Sequence, residues 1–274
     1  DTELEEVEVV GRQSKAERVQ MSQIELKPAD IKKIPMILGE VDVFKSLQLL
    51  PGVLSGNEGT TGLYVRGGSP DQNLILLDGV PVYNASHLFG FFSVFNADAI
   101  KNVTLTKGGF PARYGGRLSS VLEIDMKEGN TKEFHGEGSV GIIASRLTLE
   151  GPIVKDKTSF MVSGRRTYSD LLYRPFLPSG TDAGYYFGDL NAKVNHRFSR
   201  KDRLFLSYYT GIDRFFAKED YGNPTPGPGA SGQAQSSFES NFSWGNHTGA
   251  LRWNHLFNDK LFSNLTATFT QYRL

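Results

Sequence analysis

From about residue 133 to residue 274 the sequence alternates polar and apolar side chains with a period of two. Such a rhythm places successive side chains on opposite faces of a sheet and leaves little room for helix. Leu190, Ala192, Val194, His196 and Phe198 share one face, and Asn191, Lys193, Asn195, Arg197 and Ser199 share the other. Leu147 and Leu149 alternate with Arg146, Thr148 and Glu150. Leu265, Ala267 and Phe269 alternate with Asn264, Thr266, Thr268 and Thr270. Seven strands are predicted, over 133–141, 143–153, 158–168, 185–199, 202–217, 237–256 and 260–274.

Alternation alone does not separate a soluble sandwich, apolar inside, from a membrane barrel. Strand length and connections do more. Several strands exceed the usual ~5–6 residues and suit the ~9–11 of a tilted membrane strand with an extension. The connections Val154–Lys157, Arg200-Lys201 and Asn258-Asp259 are tight, whereas Leu172–Tyr185 and Lys218–Ser236 are long. Tight turns on one side and long loops on the other are the outer-membrane pattern, with the tight turns periplasmic. Aromatics gather near strand ends at Tyr208-Tyr209, Phe215-Phe216, Trp244 and Trp253, as interfacial girdles do. No stretch approaches the ~20 apolar residues of a spanning helix. A membrane role therefore falls to strands.

Composition narrows the chemistry. Lysine plus arginine and aspartate plus glutamate both count 30, so no net field points to a polyanion. Without cysteine there is no disulfide, thiolate metal site or thiol nucleophile. Neither a G-x-S-x-G elbow nor an H-E-x-x-H helix occurs. The five histidines, His87, His135, His196, His247 and His255, lack ligand spacing, so no metal and no cofactor is implied. The chain does not read as an enzyme.

Upstream of Lys127 the pattern is different. Pro28 opens a short helix, and Val41, Phe44 and Leu47 fall at helical spacing before Pro51. Strand candidates follow at Leu63–Arg66, Asn73–Leu77, Val103–Thr106 and Ser120–Asp125, parted by Gly67-Gly68, Asp78-Gly79, Gly108-Gly109 and Gly115-Gly116. Asp78-Gly79 between apolar runs is a hairpin signal. None of these glycines has the spacing of a phosphate-binding loop. The expected organisation is a tail over 1–20, a small α+β domain over 21–130 and barrel strands over 131–274.

Val65-Arg66-Gly67-Gly68 with Leu74–Val82 (LILLDGVPV), Ala99–Lys107 (AIKNVTLTK) and Gly108–Leu122 (GGFPARYGGRLSSVL) resemble, in order, the plug domain of TonB-dependent outer-membrane receptors. The Ser163–Tyr168 run (SGRRTY) looks like the third barrel strand of Bacteroidetes-type members. The resemblance implies an α+β plug followed by antiparallel transmembrane β-barrel strands in the outer membrane, in contact with its lipid. Family barrels have 22 strands, so seven are read as part of a longer chain. It implies active import of a ligand energised by TonB, the rival being a structural or adhesive barrel that transports nothing. The glycine-tyrosine-glycine text that follows the Ton box in SusC-like members is absent, which leaves a SusD-type lipoprotein partner without support.

The resemblance also nominates residues. Glu5, Glu6, Val7, Glu8, Val9 and Val10 resemble the Ton box, an extended peptide that TonB would take by strand addition. Arg66, Arg113 and Arg117 are expected to pair with carboxylates on the barrel wall, as bidentate guanidinium allows. Tyr83, Asn84, His87, Phe89, Phe91 and Phe92 lie in one glycine-broken loop and are ligand-facing candidates if exposed, plug core if buried.

Overall fold

The computed structural model describes residues 22–34, 40–56, 62–221 and 236–274. Pro28 does start a helix, α1 (Pro28–Ile31), with the ring at a first-turn position where no N–H is needed. The second helix, α2 (Val43–Gln48), is capped by Asp42, whose carboxylate accepts from the Phe44 and Lys45 amides at 2.8 and 3.1 Å. It buries Val43, Phe44 and Leu47.

Nine short strands complete this unit. They are β1 (Gln23–Leu26), β2 (Val53–Leu54), β3 (Tyr64–Val65), β4 (Asn73–Leu77), β5 (Val80–Pro81), β6 (Ser86–His87), β7 (Phe92–Ser93), β8 (Ile100–Lys107) and β9 (Ser120–Met126). Five form a mixed sheet in the order β1-β8-β9-β4-β5, with β4 and β9 parallel. The Leu63–Arg66 expectation reduces to β3, which leaves the main sheet and pairs with β2 in a two-stranded ladder. Asp78-Gly79 makes the hairpin it signals, with φ of 49° and 84° joining Leu77 to Val80.

Seven strands follow as an antiparallel meander: β10 (His135–Val140), β11 (Ala144–Val154), β12 (Thr158–Thr167), β13 (Thr181–Arg197), β14 (Asp202–Tyr221), β15 (Ser236–Asn258) and β16 (Leu261–Arg273). β13 begins four residues earlier than period two predicts. A short helix, α3 (Ser169–Tyr173), and a 3₁₀ turn at Arg174–Phe176 take up part of the expected Leu172–Tyr185 loop.

Which face is buried separates barrel from sandwich. One row across the sheet pairs Thr148, Ser163, Asn191, Tyr209 and Thr248 in register, and all five are buried. The neighbouring row pairs Leu149, Val162, Ala192 and Tyr208, with Leu149, Val162 and Tyr208 exposed. Leu190, Leu206, Leu251, Leu265 and Phe269 are exposed too. Polar in and apolar out is the reverse of a water-soluble sheet and matches a strand wall facing lipid.

The N-terminal unit packs on the polar face. Asn96 donates to Ser163 Oγ at 2.8 Å, and Thr270 donates to the Pro81 carbonyl at 2.9 Å. The unit keeps its own apolar core of Ile31, Val43, Phe44, Leu47, Val65, Leu77, Phe95, Val103, Leu105, Leu122 and Ile124. Of the described strand residues, Met161 and Tyr209 join it. Burial of each such side chain contributes roughly 1.5–3 kcal/mol. At the junction Gly129 has φ of 80° and lies so close to the Phe160 carbonyl that a Cβ would collide with it.

Candidate functional site

The unit is held to the strand wall by three groups of charged side chains. The first joins Glu40 and Asp98 of the N-terminal unit to Arg146 of β11 and Arg165 of β12. Glu40 Oε2 lies 3.5 Å from Arg146 and 3.8 Å from Arg165, while Asp98 meets Arg146 Nε and Lys32 Nζ at 2.6 Å each. Burial pushes the Glu40 carboxyl up from its ordinary range, and the two guanidiniums only partly offset this. Arg165 does more than face Glu40. Its Nε and Nη2 donate to Asp189 Oδ2 at 2.8 and 2.6 Å, and Nη2 also reaches the Ser93 carbonyl at 2.8 Å.

The second group is built around His87. Its Nδ1 lies 2.7 Å from Asp213 Oδ2 and its Nε2 2.8 Å from Asp189 Oδ1. Carboxylates only accept, so both ring nitrogens must carry protons and the ring is an imidazolium. Burial alone would lower its pKa, but Asp189 and Asp213 outweigh burial and hold it above the ordinary value. The ring stacks flat on Phe187, with centroids 4.2 Å apart. Tyr209 donates to Asp189 at 3.0 Å, Tyr185 donates to Asp213, and the Leu88 amide donates to Asp213 at 3.2 Å. Asp189 thus links the two groups. Together they hold Lys32, Arg146, Arg165 and His87 against Glu40, Asp98, Asp189 and Asp213, and Lys32 also pairs with Glu137 of β10.

The third group lies toward the tight turns. Lys193 of β13 meets Asp78 at 3.0 Å and donates to the Met126 carbonyl at 3.1 Å, and Arg252 donates to the Asp78 carbonyl at 3.0 Å. Arg203 and Lys101 hold Glu128 at 2.7 and 2.9 Å. Burial would raise that carboxyl, but the two cations outweigh it and keep it below its usual range. Asp78 is therefore both a turn residue and an anchor.

The arginines nominated by the sequence are not part of these contacts. Arg66 donates to Ser22, Arg113 to Tyr114 and Arg117 to the Gly116 carbonyl; all three are exposed, and their hydrogen bonds do not reach the seven strands. Across these strands the polarity is mostly the reverse of that expected, with cations on the wall and carboxylates on the unit it encloses.

The loop nominated as ligand-facing splits in two. His87 and Phe92 are buried, at 1% and 2% exposure, which corrects their assignment: one is a clasp and the other packs against Phe187 of the wall. Tyr83, Phe89 and Phe91 remain exposed. Phe89 and Asn84 border a cavity of about 520 Å³ that Phe215, Phe242, Trp244 and Tyr272 complete. Residues Glu5–Val10 lie outside the described residues. No group of three or more His, Asp or Glu among the described residues is placed to hold a metal.

Residues 17–120 match the family profile of the TonB-dependent receptor plug domain. The chain is 28% identical over 166 residues, or 49% of its length, to the probable TonB-dependent siderophore receptor PirA of Acinetobacter baumannii. It is 30% identical over 154 residues, again 49% of its length, to the ferrienterobactin receptor of Escherichia coli. It spans about a fifth of the length of these curated relatives, 21% and 20%. The fold is also similar to part of the ferric yersiniabactin uptake receptor FyuA of Yersinia pestis, with a TM-score of 0.60 at 15% identity over 93% of this chain and 41% of that one.

Proposed function

Since the chain belongs to the TonB-dependent receptors and carries a plug with outer-membrane barrel strands, we propose that the whole protein imports a ligand actively, the plug gating the barrel. The observation that carries this reading is the seam of ion pairs between plug and wall. Contacts of this kind bind firmly while closed, yet both partners can be rehydrated when the plug moves. A permanent seal would be served as well by apolar packing. The named relatives are receptors rather than enzymes.

In this reading Glu5–Val10 is the handle. An extended Val7-Glu8-Val9-Val10 segment adds a strand to TonB, and the inner-membrane proton gradient supplies the force. The plug spans residues 21–130 and the barrel wall starts at 131. The relatives' ligands make ferric siderophores the first class to assay. Deleting Glu5–Val10 from the full-length protein should abolish energised uptake while leaving binding and membrane insertion intact. A proline at Val9 should act similarly by removing one main-chain donor. Uptake at the wild-type rate in the deletion strain would favour the structural or adhesive alternative.

A further inference from the structure

The connection after β12 carries an inversion of its own. In α3 and the turn that follows it, Ser169 and Asp170 are turned to the wall while the apolar side chains are turned away. Ser169 Oγ donates to the Tyr185 carbonyl at 2.6 Å, and Asp170, its side chain only 11% exposed, accepts from Arg166 at 3.2 Å. Leu171, Leu172 and Tyr173 are exposed, and Phe176 is 86% exposed. A loop standing in water would be arranged the other way round.

The segment sits on the outside of the wall. On β13, Gly184, Tyr186, Leu190 and Val194 share the outward parity of Ala192, and on β14 Phe216 shares that of Tyr208, opposite Gly184 in the ladder. A Cβ at Gly184 would come within 2.7 Å of the Phe216 ring and 3.0 Å of the Asp170 Cβ. Glycine is what lets α3 lie against this outward face.

The height of the segment follows from β13. Its outward face carries Tyr186 near one end and His196 near the other, ten residues apart. At ~3.3 Å per residue and a tilt of ~40° that is about 25 Å, the height of the apolar band of such walls. Arg166 lies 4.7 Å over the Tyr186 ring, a cation on an aromatic side chain at the headgroup girdle. Gly184 is one outward position beyond Tyr186. α3 is therefore level with the boundary between acyl chains and headgroups.

We propose that Ser169–Phe176 is an interfacial foot, seated in the outer leaflet with Leu171, Leu172, Tyr173 and Phe176 against lipid. The occupant is lipid because the patch adjoins the lipid-facing side of β13 and shares its arrangement, polar toward the protein and apolar outward. The inference rests on the barrel reading, and its test separates the two. Full-length protein is reconstituted in dimyristoylphosphatidylcholine vesicles with a nitroxide on one cysteine, introduced by Leu172→Cys, Phe176→Cys, Leu190→Cys or Ser179→Cys. All four positions are exposed, so the label displaces no packing. Collision is measured with oxygen, which concentrates in lipid, and with a nickel chelate, which stays in water. At positions 172 and 176 the oxygen-to-nickel ratio should be severalfold above that at position 179 and approach that at position 190. A ratio at 172 and 176 equal to that at 179, with 190 high, overturns the inference and leaves the barrel standing. Low accessibility to both reagents at 172 and 176 means that protein covers the segment, and overturns it too. A low ratio at 190 as well overturns the barrel reading and the inference with it.

Discussion

Arg165→Met is the sharpest test of the seam. Arg165 is 4% exposed and touches three partners: Asp189 through two donors at 2.8 and 2.6 Å, the Ser93 carbonyl at 2.8 Å, and Glu40 at 3.8 Å. Methionine fills much of the volume and supplies no charge. Asp189 would retain His87 and Tyr209, while Glu40 would retain, among the described residues, the Arg146 ion pair at 3.5 Å, and the Ser93 carbonyl would lose a donor. Removing one partner of a buried pair costs about 3–5 kcal/mol, mostly because the charge left behind is desolvated and uncompensated. With a denaturant slope of about 1–3 kcal/mol per molar urea, plug release should shift down by at least about 1 M. The assay is pulse proteolysis of the full-length protein across a urea series. Glu40→Gln in the same chain should recover part of the loss, since the orphaned carboxylate is then gone. A midpoint within about 0.3 M of the parent, or no recovery in the double variant, would show that Arg165 is not a strut of the closed state.

His87 sets a pH dependence. Its folded-state pKa lies above the ordinary ~6.5, so its contribution is complete below that value and is lost as pH rises through the folded pKa. Amide exchange over residues 83–92 should therefore accelerate at alkaline pH, and His87→Gln should remove that step. For orientation, a cysteine at Ser179 should react with an impermeant maleimide on whole cells and one at Asn258 should not; the opposite pattern would invert the topology. Gly129→Ala combines a positive φ with a clash against the Phe160 carbonyl and should destabilise plug docking by roughly 2 kcal/mol or more, read as a lowered urea midpoint.

The strand wall was legible because period two is a local property: each strand reports its own faces, and tight turns mark its ends. What sequence could not supply was the partner across space. His87 looked solitary because its carboxylates lie 102 and 126 residues away on two different strands. Glu40 and Asp98 stood among ordinary plug residues, with nothing nearby to mark them. Arg165 carried a readable signal, since Ser163, Arg165 and Thr167 alternate with Gly164 and Arg166 and so share the inward face. The same parity in β13 places Asp189 with Asn191, Lys193 and Asn195 on that side. The family resemblance nominates Arg66, Arg113 and Arg117, and a motif match does not indicate which way a side chain points. The loop 83–92 could not be divided because burial there depends on strands more than ninety residues downstream.

The apolar core of the plug is almost entirely its own, and few side chains from the wall complete it. A domain of that kind is portable. Expressed without the strands, residues 22–130 should remain soluble and ordered, because water can take over the places vacated by Arg146, Arg165 and Lys193. The wall is not symmetrical in this respect, since its outward face requires a bilayer whether or not the plug is present. Assembly can therefore proceed with one part folding in water and the other in lipid, meeting along a surface that neither solvent rejects.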